Sequence, residues 1–213
     1  MIYARKQKQM ITRLMEKGIK DTAVLKAMAA VPRHEFVQPG MEFQAYDEKA
    51  LPIGFDQTIS HPYTVALMTQ TLQVTPHKRI LEIGTGSGYQ AAVLCSMGAR
   101  VFTVERIGPL ARRAAEKLSA MGFRFLSRTG DGSMGWTTYA PYDGIIVTAG
   151  APVSPTSLLD QLTEGGRCVI PIGSEEGQML TLFIRAGDEL KKIEIEPLSF
   201  VPLIGKDGWS TSK

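Results

Sequence analysis

The sequence predicts an α/β protein with a doubly wound, mostly parallel sheet. Three observations support this class. From Arg79 onward, short apolar runs alternate with helical segments, which is typical of parallel strands joined by crossover helices. A glycine-rich turn joins the first of these strands to its helix. Near the C-terminus, two alternating segments flank Ala186-Gly187-Asp188, which predicts an antiparallel hairpin at one sheet edge.

The length and composition are those of an ordinary globular protein. The chain has 213 residues, of which 44% are hydrophobic and 21% charged, and this fits a single domain over residues 1–213. A disordered chain, a collagen-like repeat and a disulfide-stapled mini-domain are excluded. The net charge of +3 is too small to indicate a nucleic-acid or membrane partner, so we expect neither. We also expect a monomer.

Cysteine usage and the N-terminus predict a cytoplasmic protein. Cys95 and Cys168 lie far apart in apolar surroundings, which favours a reducing compartment. They form no metal-ligand spacing with the three histidines, so we expect no bound metal. The N-terminus lacks the apolar run of a signal peptide, and no stretch approaches the ~18 apolar residues of a membrane span.

Residues 1–75 are predicted to form an N-terminal helical cap and substrate segment. Helices are expected over residues 3–18, 21–30 and 62–72, whereas residues 33–60 look irregular. Asp21 suits the N-cap of the second helix, and Val31-Pro32 ends it because the residue before proline is pushed out of the helical region. The first helix carries most of the basic residues of the N-terminus. A solvated helix face is the simpler interpretation, and a surface for an anionic partner is the alternative.

Residues 76–213 are predicted to form the ligand-binding α/β core. The predicted strands are 79–83, 100–104, 123–128, 143–148, 167–172, 179–185 and 189–196. The predicted helices are 89–97, 109–121 and 154–162. In such a sheet, ligands bind beyond the carboxyl ends of the parallel strands.

The glycine-rich turn indicates which ligand binds there. Gly84, Gly86 and Gly88 follow the first core strand, and a dinucleotide-binding turn would have its third glycine at Tyr89 instead. Glu82 stands two residues before the turn, where a negative charge would repel a pyrophosphate and suit an ammonium or sulfonium group. A dinucleotide oxidoreductase is therefore disfavoured.

Acidic residues follow the next two strands as well. Glu105 lies 21 residues after Gly84, where an acid can accept from ribose hydroxyls, and Asp131-Gly132 lies where an adenine amino group could be held. For a lone glycine triplet, an ordinary turn with surface acids would be the simpler interpretation. Together, these residues resemble the S-adenosylmethionine-dependent methyltransferases of the Rossmann-like class I. Thr148–Pro152 lacks the Asn/Asp-Pro-Pro-aromatic motif of enzymes that methylate nucleobase amino groups.

The segment 57–63 suits an acceptor that is already ionised. A carboxylate needs positioning and desolvation rather than a general base. Thr58 and Ser60 offer hydroxyls, and Pro62 fits the first turn of the next helix, whose N-terminus favours an anion. Ser60 could instead serve as the N-cap of that helix, and the two roles are compatible.

Several stretches in order resemble the protein-L-isoaspartate (D-aspartate) O-methyltransferases. These are Val31–Val37, Pro52–Gly54, Gln57–Ser60, Leu81–Tyr89, Asp131-Gly132, Gly135-Trp136, Ala140–Asp143, Gln161-Leu162, Gly165–Arg167 and Phe200–Leu203. The resemblance implies methylation of the free α-carboxylate of L-isoaspartyl residues, and possible action on D-aspartyl residues, in aged proteins and peptides. The ester then cyclises to a succinimide, which hydrolyses partly to aspartate.

The resemblance also implies residue roles. Ser60 is the expected catalytic residue, and the peptide is expected to contact Thr58, Ile59, Ser60, His61 and Val201. S-adenosyl-L-methionine is the expected cofactor, and its predicted contacts are Glu82, Gly84, Thr85, Gly86, Ser87, Gly88, Glu105, Arg106, Asp131 and Gly132. His61 and Phe55-Asp56 depart from the family pattern, and a solvated position is the simpler interpretation of His61. A methyltransferase for a small carboxylic acid or an RNA, and a module that binds the cofactor without catalysis, are the alternatives.

Overall fold

The computed structural model describes residues 2–210 and has a seven-stranded sheet with apolar clusters on both faces. The helices are α1 (Ile2–Glu16), α2 (Thr22–Ala30), α3 (Pro62–Leu72), α4 (Tyr89–Ser96), α5 (Gly108–Ala120) and α6 (Thr156–Leu159). The strands are β1 (Leu51–Gly54), β2 (Gln57–Ile59), β3 (Arg79–Ile83), β4 (Arg100–Glu105), β5 (Phe125–Thr129), β6 (Tyr142–Val147), β7 (Leu162–Ser174), β8 (Gly177–Ala186) and β9 (Glu189–Leu198). Within residues 2–210, no helix is long and apolar enough to cross a lipid bilayer.

The sheet confirms the predicted doubly wound class. Its strand order is β5-β4-β3-β6-β7-β8-β9, in which β3 to β7 are parallel and β8 and β9 are antiparallel. The chain runs outward from β3 to β5 and then returns to the other side of β3 with β6. The β3–β6 boundary is therefore the topological switch point, where such sheets leave a crevice for ligands.

Alternation along the strands divides the core into two apolar clusters. Ile80 and Ile146 belong to the cluster that includes buried residues of α1 to α4, whereas Leu81 and Ile145 belong to the cluster that includes α6. The predicted cap thus shares an apolar cluster with the sheet. The predicted N-cap is confirmed, since the Asp21 carboxylate accepts from the backbone N–H groups of Ala23 and Val24 at 2.8 and 3.2 Å.

Residues 33–60 contain more regular structure than the sequence suggests. Two short 3₁₀ helices cover Arg33–Phe36 and Glu42–Gln44, and β1 and β2 form an antiparallel hairpin. Strands of four and three residues carry too little alternation to be recognised, and their turn contains no glycine. The hairpin was therefore missed, although it carries the segment that leads to Ser60.

The other misjudged region lies between β6 and β8. The helix predicted over 154–162 covers only Thr156–Leu159, and the strand predicted over 167–172 extends over Leu162–Ser174. Gly165 and Gly166 look like a break in sequence, but they lie within the strand, where its pairing with β6 shifts register. The remaining elements agree with the predicted bounds to within two residues.

The turn between β1 and β2 offers a test of backbone strain. Phe55 and Asp56 both have positive φ, 56° and 55°. In two-residue hairpin turns, Asn-Gly is the pair that most often adopts this conformation. Replacing Phe55-Asp56 with Asn-Gly should raise the free energy of unfolding in urea by about 1 kcal/mol, because Phe55 is 54% exposed and loses little packing. Phe55→Ala, which keeps a Cβ at positive φ, should not stabilise. An Asn-Gly variant no more stable than Phe55→Ala would contradict this account.

Candidate active site

A cavity lies at the carboxyl ends of β3, β4 and β6, at the switch point. Its volume is about 100 Å³, and it is partly open to solvent. Regions that are distant in sequence line it: the segment from β2 into α3, the glycine-rich turn, the end of β4, Gly132, the residues after β6, and the segment after β9. Of the predicted site residues, it is lined by Thr58, Ile59, Ser60, Gly84, Thr85, Gly86, Ser87, Glu105, Arg106, Gly132 and Val201. Glu82, Gly88, Asp131 and His61 do not line it.

Close packing explains the first glycine of the turn. Gly84 has a φ of +93°, and a Cβ there would lie 2.4 Å from the Thr148 Oγ1 atom. That hydroxyl donates to the Gly84 carbonyl oxygen at 2.7 Å, so Thr148 fixes the turn from β6. Sequence reasoning missed Thr148, although a polar residue directly after a buried parallel strand was a usable signal.

Gly88 packs between α4 and α5. It has a φ of +90° and precedes α4, and a Cβ there would lie 3.3 Å from the Ala114 Cβ atom and 3.4 Å from Leu118. The absent side chain therefore lets the start of α4 approach α5. Contact between Gly88 and the cofactor stays a prediction.

Glu105 is the buried acid of the cavity. Its carboxylate accepts from the backbone N–H groups of Gly86 and Ile107, both at 2.9 Å. The side chain thereby joins the glycine-rich turn to the segment after β4. Each carboxylate oxygen takes part in one of these bonds and retains capacity to accept a further hydrogen bond, as ribose recognition would require.

Glu82 is buried beneath the turn. Its carboxyl Oε2 accepts from the Thr103 hydroxyl at 2.5 Å, and that hydroxyl lies 2.5 Å from the Thr85 hydroxyl. Within residues 2–210, Oε1 has no hydrogen-bond partner. Desolvation by burial raises the pKa of Glu82 to about 8, so the group is mainly protonated at neutral pH. A negative charge on Glu82 next to the cofactor, and direct contact between the two, stay predictions.

The raised pKa of Glu82 predicts a pH-dependent stability. Between its ordinary value of 4.5 and about 8, the folded protein holds a proton that the unfolded chain releases, so the stability falls as the pH rises. Glu82→Gln should remove this dependence and reduce the loss of unfolding free energy between pH 5 and 8 by up to about 4 kcal/mol. The exposed Glu116→Gln serves as the control in urea titrations at each pH. Parallel pH profiles for Glu82→Gln and the unsubstituted protein would refute the assignment.

The Asp131 carboxylate binds Ser133 and the C-terminal segment at Lys206. Its carboxylate accepts from the Ser133 N–H and hydroxyl at 2.8 and 2.7 Å and from the Lys206 N–H at 2.8 Å. Although burial opposes ionisation, these hydrogen bonds hold the pKa of Asp131 below its usual value. Gly132, rather than the Asp131 side chain, reaches the cavity. An adenine contact by Asp131 stays a prediction.

The N-cap of α3 is His61, not Ser60. The His61 Nδ1 atom accepts from the Tyr63 N–H at 3.0 Å, and burial lowers the pKa of the imidazole. His61 is thus half-buried and structural in this structure, and substrate contact by it stays a prediction. Within residues 2–210, the Ser60 hydroxyl has no protein hydrogen-bond partner. The capping alternative for Ser60 is therefore wrong, and its hydroxyl is available to a ligand.

The segment after β9 closes the other side of the cavity. The backbone N–H of Gly150 donates to the Val201 carbonyl at 2.8 Å, and Leu203 N–H donates to the Gly150 carbonyl at 2.8 Å. These bonds hold the cavity-lining residues Val201–Ile204 against the end of β6. The final residues of the predicted polar tail, 211–213, lie outside the described residues.

Comparisons with known proteins identify the family of this chain. The family model for protein-L-isoaspartate(D-aspartate) O-methyltransferase (PCMT) matches residues 5–208. A protein-L-isoaspartate O-methyltransferase of Salinibacter ruber is 50% identical, with 96% of this chain and 94% of the relative covered. One of Geobacter metallireducens is 47% identical, with 97% of each chain covered.

Two solved structures share the fold of this chain. A protein-L-isoaspartate O-methyltransferase structure superposes with a TM-score of 0.87 at 28% identity, covering 95% of this chain and 67% of that one. A Plasmodium falciparum structure solved in complex with S-adenosyl-L-homocysteine shares the fold, with a TM-score of 0.82 at 24% identity and 93% and 98% of the two chains covered. The chain therefore belongs to the protein-L-isoaspartate(D-aspartate) O-methyltransferase family.

Proposed function

We propose that this chain transfers a methyl group from S-adenosyl-L-methionine to the free α-carboxylate of L-isoaspartyl residues in proteins and peptides. The resulting ester starts repair by closing to a succinimide. One observation carries the proposal: the unpartnered hydroxyl of Ser60 shares a cavity with the glycine-rich turn and Glu105. Family membership supports the same reaction. Action on D-aspartyl residues is part of the proposal.

The residues of the cavity fit the cofactor. The backbone of Gly84–Ser87 leaves room for close approach, and a Cβ at Gly132 would lie 2.6 Å from Ile83, so main chain rather than side chain faces the ligand there. We assign Glu105 to the ribose hydroxyls and Gly84–Ser87 to the amino-acid part. When bound, the cofactor supplies a methyl group on a positively charged sulfur.

The other residues position an acceptor that needs no activation. A main-chain carboxylate has a pKa of about 3.5 and is ionised at neutral pH, so no general base is required. In the proposal, the Ser60 hydroxyl donates to this carboxylate, and the positive end of the α3 dipole favours the anion. Thr58, Ile59 and Val201 line the path of the peptide and exclude water from the reacting groups.

The cellular setting remains part of the proposal. The thiols of Cys95 and Cys168 are free, which is consistent with a reducing compartment such as the cytoplasm. We also propose that the protein acts as a monomer on damaged proteins.

A set of matched peptides tests the function. Two synthetic peptides that differ only in aspartate versus L-isoaspartate are incubated with methyl-labelled cofactor, and a third carries isoaspartate with its α-carboxylate converted to an amide. The label should enter only the isoaspartyl peptide with a free carboxylate. Equal labelling of the aspartyl peptide, or labelling of the amide, would exclude the proposed acceptor.

A further inference from the structure

We propose that Arg33 is a positioning residue that fixes the main chain at Ser60 and thereby directs its hydroxyl into the cavity. The inference rests on the role proposed for Ser60. It adds a residue that does not line the cavity and to which the matching stretch Val31–Val37 gave no role.

Two hydrogen bonds carry the inference. The Arg33 Nη2 atom donates to the Ser60 carbonyl oxygen at 2.6 Å, and its Nε atom donates to the Ala45 carbonyl oxygen at 2.6 Å. The planar guanidinium presents these donors in a fixed fork, so one side chain holds two chain segments in one relative position. The Ser60 carbonyl is thereby tied directly to the start of the 3₁₀ helix Arg33–Phe36.

The environment of Arg33 indicates a task beyond packing. The side chain is fully buried, and its guanidinium carbon lies 4.8 Å from the ring centroid of Tyr89, a residue that lines the cavity. None of the ion pairs found among residues 2–210 includes Arg33. Desolvation by burial lowers its pKa to about 10, so the group stays charged at neutral pH. A buried charge is costly unless it is hydrogen-bonded, and here the bonds go to carbonyl oxygens.

The position of Ser60 explains why this bond affects catalysis. Ser60 lies between the end of β2 and the N-cap His61, so its neighbours on both sides belong to hydrogen-bonded structure. The carbonyl bond to Arg33 restrains the one residue between them. Misplacement of a reacting group by about 1 Å can lower a rate on the order of 100-fold.

Arg13 provides a matched control. Its Nη2 atom donates to the carbonyl oxygen of Tyr46 at 2.7 Å, next to the carbonyl that Arg33 holds. Arg13 thus anchors the same segment without touching Ser60. If Arg33 only anchors the segment 45–46, activity should fall equally in the Arg13 and Arg33 variants. If Arg33 positions Ser60, activity should fall only in the Arg33 variant.

The experiment compares Arg33→Lys with Arg13→Lys, alone and in a Ser60→Ala background. Lysine keeps the charge but cannot reproduce the fork. Arg33→Lys should lower kcat/KM for an isoaspartyl peptide about tenfold, mainly through kcat, and leave the Kd for S-adenosyl-L-homocysteine within about threefold. Arg13→Lys should leave both within about threefold. In the Ser60→Ala background, Arg33→Lys should have little further effect, because the two residues act through one group.

Four results would overturn the inference. The first two are an unchanged kcat/KM in Arg33→Lys and a loss of cofactor affinity in that variant as large as its loss of kcat/KM. The third is a loss of kcat/KM from Arg33→Lys in the Ser60→Ala background that equals its loss in the unsubstituted protein. The fourth is failure of Arg33→Lys to fold while Arg13→Lys folds. Failure of the function itself is distinguishable, because it would appear as absent isoaspartyl methylation in the unsubstituted protein.

Discussion

Ser60→Ala should lower kcat/KM for an isoaspartyl peptide by about 30- to 100-fold. A hydrogen bond to a charged group contributes about 1.5–3 kcal/mol, and here it also orients the acceptor. Because the Ser60 hydroxyl has no protein partner within residues 2–210, its removal should change the free energy of unfolding by less than about 0.5 kcal/mol. Cofactor affinity should stay within about threefold. Initial rates with an isoaspartyl peptide and calorimetry with S-adenosyl-L-homocysteine measure the two effects.

Ser87→Ala is the counterpart for this experiment. Ser87 also lines the cavity, but it lies on the glycine-rich turn, where its hydroxyl oxygen accepts from the Tyr89 N–H at 3.4 Å. Loss of this hydroxyl should lower the affinity for the cofactor more than the activity on the peptide. Ser60→Ala should have the opposite effect. Turnover of Ser60→Ala at the unsubstituted rate would remove Ser60 from the mechanism.

Glu105→Ala should weaken cofactor binding by about 100-fold. The substitution removes the proposed acceptor of the ribose hydroxyls and also frees the N–H groups of Gly86 and Ile107 that the carboxylate now holds. Losing a charge-assisted hydrogen bond costs about 1.5–3 kcal/mol, which corresponds to roughly 10- to 150-fold in Kd. The KM for the peptide at saturating cofactor should change little.

Asp143→Asn is the matched control for Glu105. The Asp143 carboxylate also accepts from a backbone N–H, that of Arg79 at 2.8 Å, but it lies at the opposite end of the sheet. Asp143→Asn should leave the calorimetric Kd for S-adenosyl-L-homocysteine unchanged. Unchanged affinity in Glu105→Ala would count against the ribose assignment.

Sequence patterns predicted best the features that depend on local periodicity. The parallel strands read as continuous apolar runs, since both faces of the sheet are covered, and the hydrogen bonds of Asp21 and the break at Val31-Pro32 are local effects. The β1–β2 hairpin was missed because its strands are short and its turn residues, Phe55 and Asp56, adopt positive φ without glycine.

The site was predicted less completely because side-chain direction depends on tertiary contacts. Glu82, Glu105 and Asp131 each lie near the carboxyl end of a strand, yet of these three only Glu105 lines the cavity. Glu82 is buried against Thr103, and Asp131 binds the backbone of Lys206, which is 75 residues away in sequence. The contact between Arg33 and Ser60 likewise joins residues that no periodic pattern relates.

Oxygen-isotope labelling tests the central claim most directly. An L-isoaspartyl peptide is incubated with the protein and S-adenosyl-L-methionine in ¹⁸O-enriched water. The products are then separated, and their masses are measured by mass spectrometry. We predict a transient methyl ester, followed by aspartyl peptide that carries one ¹⁸O atom from hydrolysis of the succinimide. A stable ester with no ¹⁸O-containing aspartyl product, or no ester on this peptide at all, would contradict the account.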